Sequence, residues 1–135
     1  MTPFALQLRV ARTACAMAQN EFSTRIGYRQ SYVSAVECGN KLPKSIEFVE
    51  QAIAALQMSE TDAGALREAF HQSQPTDFPP PGTPTYAYDV CATLSAVIPK
   101  MSQHDVTALR EFLNLLIRVQ QSPATPKYCS AQQVP

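Results

Sequence analysis

The sequence predicts an all-α chain with two helical regions on either side of a proline-rich segment, and three observations carry that prediction. Apolar residues recur at intervals of three, four and seven through most of the chain, the spacing of helix faces. Ser/Thr residues followed by acidic ones stand where such runs begin, and glycine or proline stands where they end. Five prolines fall between Pro75 and Pro84, a stretch that lacks backbone donors at those positions and cannot continue a helix.

The first helix is expected to start at Thr2, with Pro3 in the first turn where its missing N–H is harmless, and to present Phe4, Leu8, Ala11 and Cys15 on one face. From Gln19 to Asn40 the chain reads Q-N-E-F-S-T-R-I-G-Y-R-Q-S-Y-V-S-A-V-E-C-G-N. Phe22, Ile26, Val33 and Val36 are its apolar positions, four apart, then seven across a break, then three, which suits two short helices sharing one core. Gly27 marks the break, because glycine turns the chain through a positive φ without a side-chain clash. Ser23 is small enough for the helices to cross closely, and Gly39 is a plausible left-handed cap after Val36. A fourth helix opens at Ser45 with Ile46, Val49, Ile53 and Leu56. A fifth opens at Ser59 with Asp62 completing a capping box and turns Ala63, Leu66, Ala69 and Phe70 inward, ending near Gln74.

After a spacer over 75–85, expected to be extended and semi-rigid, Tyr86, Val90, Leu94 and Val97 predict a helix that Pro99 stops or kinks. A polyproline ligand is the sharper alternative for the spacer. Ser102 with Asp105 caps a further helix, on which Val106, Leu109, Leu113 and Leu116 form a stripe widened by Phe112, Leu115, Ile117 and Val119. Two helices are too small to cover that surface themselves. It either folds back on the N-terminal region or meets a second copy, and dimerisation through Val106, Leu109, Phe112, Leu113 and Leu116 is the preferred reading over 86–121. Residues 122–135 are polar and expected to be disordered, with Tyr128 and Cys129 unexplained.

The segment Gln19–Asn40 resembles the helix-turn-helix of the xenobiotic-response-element-like family of bacterial and phage regulators, to which the lambda-type repressors belong. The resemblance spans roughly residues 4 to 70. It includes Leu8-Arg9 with Arg12, Gln19 opening the second helix, Gly27 in the turn, the S-Y-V-S-A-V-E-C-G run from Ser31, and Leu42-Pro43-x-Ser45. It implies a five-helix lambda repressor-like domain over 1–74 whose third helix enters the major groove. Gln30 would then bond an adenine edge, with Ser31 and Ser34 at neighbouring bases and the Ala35 methyl against a thymine methyl. Gln19 would meet a phosphate and steady Gln30, while Arg29, Tyr32, Asn40, Lys41 and Lys44 would position the unit on the phosphate backbone. Two positions depart from the pattern. Ala18 stands where relatives cap the helix with Ser or Thr, and Cys38 where they often carry a polar or basic residue.

Without the resemblance, the same residues read as an ordinary helical hairpin with a solvated polar face. Formal net charge is zero over 135 residues, but it divides. Residues 1–58 hold six basic and four acidic side chains, a net +2, and the remainder five and seven, a net −2. Such a small excess suits a reader that works as a dimer, since counterion release depends on the residues at the interface.

The four cysteines show no C-x-x-C spacing. They are expected as reduced thiols, Cys15 and Cys91 as small core residues, and Cys38 as a candidate redox-sensitive position. His71 and His104 are isolated, so no metal and no cofactor is expected. Nor is any nucleophile elbow or phosphate-binding glycine loop present, which argues against an enzyme. No signal peptide or membrane-length apolar run is seen, and the expected location is the cytoplasm. The sequence thus points to a transcriptional regulator, a phage-type repressor binding a palindromic operator in double-stranded DNA as a homodimer. One alternative is an antitoxin that holds a toxin with its C-terminal region and represses its own operon. Another is a ligand sensor, for which the C-terminal helices leave little volume.

Overall fold

A computed structural model of the chain describes residues 1–121; residues 122–135, including Tyr128 and Cys129, lie outside the described part. Among the described residues there are helices and no strands, so the chain is all-α. It divides into two units between Thr76 and Asp77, inside the expected spacer.

The first unit holds α1 (Pro3–Ala14), α2 (Gln19–Ile26), α3 (Gln30–Glu37), α4 (Ile46–Ala55) and α5 (Glu60–Ser73). Thr2 caps α1, its Oγ1 accepting from the Ala5 amide at 3.2 Å. Ser59 caps α5 in the same way, accepting from the Asp62 amide at 3.2 Å. The free Phe4 amide donates to Ser73 Oγ at 3.0 Å, which ties the start of α1 to the end of α5. Such bonds satisfy orphan amides and are each worth roughly 1 kcal/mol.

Four helices of this unit end on a residue with left-handed backbone soon after the last turn. After α2 and α3 it is Gly27 (φ 77°) and Gly39 (φ 81°). After α1 and α4 it is Ala16 (φ 52°) and Gln57 (φ 48°), where a side chain is carried at a cost of roughly 1–2 kcal/mol each. In every case the following amide turns back onto the helix, as when Met58 donates to the Ile53 carbonyl at 3.1 Å and Asn40 to Ala35 at 2.9 Å. The reversals bring α1 against α5 and α3, α2 against α3 and α4, and α4 against α5.

Phe4 is central to the core. Its ring meets Phe48 and Phe70 edge-on, at centroid separations of 6.3 and 5.3 Å. Around it are Leu8, Phe22, Ile26, Val33, Val36, Val49 and Leu66, all buried. Each contributes roughly 1.5–3 kcal/mol by leaving water. Two expectations are corrected here. On α4 the buried set is Phe48, Val49 and Ala52, with Ile46 exposed and Ile53 half-buried, because at about 100° per residue Ile46 falls beyond the arc shared by the others. Cys15 is exposed rather than core, because α1 has already ended at Ala14 and its Sγ sits 3.7 Å from the Leu56 carbonyl at the surface.

The second unit begins within the spacer, which turns rather than running extended throughout. Gly82 (φ 85°) lets the Thr83 amide and hydroxyl reach the Pro80 carbonyl, at 3.2 and 2.6 Å. A 3₁₀ turn, Thr85–Ala87, leads into α6 (Tyr88–Val97), and Pro99 lies in a second such turn, Ile98–Lys100, that ends it. Ser102 and Asp105 form a reciprocal cap before α7 (Gln103–Gln121). The Ser102 amide and hydroxyl donate to Asp105 Oδ2 at 3.0 and 2.9 Å, and the Asp105 amide donates back to Ser102 Oγ at 3.2 Å. These bonds, led by the one from the backbone, hold the Asp105 carboxyl below its usual range. Cys91 on α6 is half-buried rather than core, since no described residue of this unit is buried. None of the described helices is long and apolar enough to cross a membrane.

Candidate nucleic-acid interface

The eight residues of α3 divide by direction. Val33, Val36 and Glu37 are buried, Gln30 and Ser31 are exposed, and Tyr32, Ser34 and Ala35 are half-buried. The apolar pair belongs to the core, so the polar face has one available orientation, outward. Gly27 makes this possible from the preceding helix. A Cβ there would meet nothing within 4 Å, so the glycine is required by its φ and not by space. Ser23 is buried as expected at the α2 crossing, and its hydroxyl donates to the Asn20 carbonyl at 2.8 Å.

Glu37 is the feature that periodicity did not foretell. Only 4 % of its side chain is exposed, yet it is charged, and its compensation comes from two other helices. Arg12 on α1 grips it with both arms, Nε to Oε1 at 2.6 Å and Nη2 to Oε2 at 3.0 Å. The third guanidinium nitrogen of Arg12 donates to the Met17 carbonyl at 2.7 Å. Gln19, the first residue of α2, donates from Nε2 to Glu37 Oε2 at 2.9 Å. Its own amide oxygen accepts from Gln30 Nε2 at 3.5 Å, a long contact at the limit of hydrogen bonding. One string of polar groups thus runs from α1 through the C-terminal end of α3 and the start of α2 to the N-terminal end of α3. A buried pair of this kind stabilises little relative to an apolar substitute, but it fixes geometry, because any rotation of α3 would leave a charge unpaired. Arg12 stands 25 residues from Glu37, which is why no local pattern announces the pair.

Two clefts border α3. A small one, of about 190 Å³, is lined by Arg9, Arg12, Gln19, Glu37 and Cys38. Arg9 is exposed and has no ion pair among the described residues, which adds it to the groups suited to an anion, a role the resemblance by itself does not imply for it. Cys38 is exposed at the end of α3 and follows the buried carboxylate directly.

The larger cleft is lined in part by Tyr32, Lys41 and Lys44, which the structure therefore brings together. Tyr32 is packed rather than free. Its ring stacks on Tyr28 at 5.4 Å and 18°, meets Phe48 edge-on, and has Lys41 Nζ 5.8 Å from its centre. Burial first, and then the neighbouring Tyr28, push the Tyr32 hydroxyl up from its ordinary value, so it remains a neutral donor at physiological pH. Arg29 and Asn40 are exposed, and their side chains make no hydrogen bond among the described residues. Ala18 leaves α2 without a side-chain cap, as its lack of an oxygen requires. No group of three or more His, Cys, Asp or Glu side chains able to hold a metal occurs among the described residues. Compared with known protein families, with curated proteins and with solved structures, the chain finds no match.

Proposed function

We propose that this chain is a sequence-specific DNA-binding regulator of the lambda repressor-like type, reading a palindromic operator as a homodimer and repressing by occupying it. The observation that carries the reading is α3 itself. Its inner face is locked by Val33, Val36 and the Arg12–Glu37 pair, while Gln30, Ser31, Ser34 and Ala35 face outward on a helix short enough to enter a major groove. Gln30 and Ser31 read base edges, Ala35 meets a thymine methyl, and Ser34 reads beside them. Arg29, Asn40, Lys41, Lys44 and Arg9 then take phosphates, with Gln19 holding Gln30 in place.

A palindromic site needs a two-fold partner. The α7 stripe supplies the surface: Phe112, Leu113 and Leu116 are exposed and Val106 and Leu109 half-buried within one chain. The exposed Val90 and Val97 of α6 and Ile98 just after it favour one further reading, an antitoxin that holds a toxin on this unit. A toxin co-purifying through residues 86–121 would select it.

Selection of bound sites from random double-stranded DNA, with the mass of the complex measured alongside, tests the proposal. Gln30→Ala is expected to cost about 1–3 kcal/mol and relax preference at one base position. Lys41→Ala is expected to weaken binding to all sequences alike and to flatten its salt dependence. Absence of any enriched site, or enrichment indifferent to both substitutions, overturns it.

A further inference from the structure

The larger cleft beside α3 has more apolar wall than a phosphate contact needs. It is a groove of about 550 Å³, a volume in the range of small-molecule sites. One side is an aromatic wall held in place by its own contacts. Tyr28 and Tyr32 stack on each other, and Phe48 meets them edge-on at 5.0 and 5.9 Å. Pro43, buried and stiff, lines it as well. Lys41 and Lys44 are the charged residues of the lining, which includes no carboxylate, and neither lysine is in an ion pair among the described residues. Two cations without a carboxylate partner, one of them already resting over the Tyr32 ring, beside a preformed aromatic wall call for a ligand that is flat and apolar over most of its surface and negative at one end.

We propose that this groove binds a small aromatic carboxylate, its ring against Tyr28 and Tyr32, which the buried Phe48 backs, and its carboxylate between Lys41 and Lys44. The stacked rings are in position without the ligand, so little ordering opposes binding. The DNA backbone is the competing occupant. It would satisfy the two lysines but leave the aromatic wall largely unused, whereas an aryl anion uses both. Because the same lysines are assigned to phosphates above, a filled groove and a bound operator exclude each other, and the ligand acts as an inducer. That coupling rests on the proposed DNA-binding function; the ligand site itself does not.

The test is calorimetric titration of the full chain, without DNA, with 2-naphthoate and with its neutral analogue 2-naphthamide. Saturable binding of one naphthoate per chain is expected, with the amide at least tenfold weaker. The double variant Lys41→Ala/Lys44→Ala changes only exposed side chains and is expected to keep its helical circular dichroism while losing tenfold or more in naphthoate affinity. Tyr32→Leu is expected to lose a similar factor, and Lys100→Ala in the second unit none. In a second arm, naphthoate is expected to weaken binding to a selected DNA site at least fivefold in the parent chain. No saturable binding, equal binding of acid and amide, or naphthoate affinity indifferent to the lysine pair overturns the proposal. So does a lysine variant that loses DNA affinity alone, which would assign the groove to the DNA backbone. Naphthoate binding in a chain that selects no DNA site would retain the ligand site and remove the DNA-binding function.

Discussion

The two units of this chain use the same helix-starting chemistry and differ in what they do with the helices. Ser59 caps α5 and Ser102 caps α7, each over a hydroxyl–amide bond of 3.2 Å, and α7 is the longest helix of the described chain. Yet among the described residues every buried one lies between Phe4 and Phe70, and the second unit has none. Caps and periodicity are instructions that act within a few residues. A core needs opposed surfaces, and the first unit has five helices whose ends reverse sharply enough to oppose each other. Among the described residues, the first unit buries the apolar faces of its helices within itself, whereas the second leaves those of α6 and α7 exposed or half-buried.

The largest test of that contrast substitutes one large side chain in each unit. Phe48→Ala removes a ring that touches Phe4, Tyr28 and Tyr32 and is expected to destabilise the first unit by about 3–5 kcal/mol, measured by urea unfolding. Leu113→Asp is expected to leave that transition unmoved and instead to reduce the mass in solution to that of one chain, by light scattering. A large loss of stability from Leu113→Asp would show that the second unit has a core after all. Next in size, Glu37→Gln leaves the half-buried Arg12 without its carboxylate and is expected to cost about 3 kcal/mol. Loss of DNA recognition in this variant under conditions where it remains folded would show that the pair positions α3 as well as stabilising it.

Smaller gains are expected where the first unit is locally imperfect. Gln57→Gly relieves a left-handed side chain at the end of α4 and should add about 1 kcal/mol, and Ala18→Asp should add a similar amount by capping α2. Both are read as shifts of the urea midpoint. The smallest effect belongs to the second unit. Bonding to Ser102 lowers the Asp105 carboxyl, so its contribution is present above the ordinary aspartate range and is lost as pH falls through the lowered value. Helical circular dichroism of Asp105→Ala should therefore match that of the parent chain at low pH and fall slightly below it at neutral pH.

Much of the helix layout was legible in the sequence because it depends on neighbours. Pro3, Gly27, Ser59 and Ser102 act on residues within four positions of themselves, and the structure places helix boundaries at each. What escaped was decided at a distance or by small rotations. The Arg12–Glu37 pair joins residues in different helices, so Glu37 reads from sequence as one more surface charge. On α4, a stripe drawn through Ile46 and one drawn through Phe48 differ by part of a turn, and the opposing rings of Phe4, Tyr28 and Tyr32, from distant parts of the chain, pack against the second. Cys15 lies on the extrapolated face of a helix that has already stopped. Nothing in composition forecasts that Ala16 and Gln57 take the left-handed conformation that Gly27 and Gly39 adopt more easily.

The division of α3 also has a practical consequence. Of its eight residues, the ones that secure it to the scaffold, Val33, Val36 and Glu37, are not the ones it presents, Gln30, Ser31, Ser34 and Ala35. Variation at the exposed Gln30 and Ser31 leaves the core volume as it is and touches the buried Glu37 only through Gln19, while the half-buried Ser34 and Ala35 call for small replacements. The helix can be rewritten on its outer side in a library of variants while the inner side is kept constant, so new surface chemistries can be screened on an unchanged scaffold.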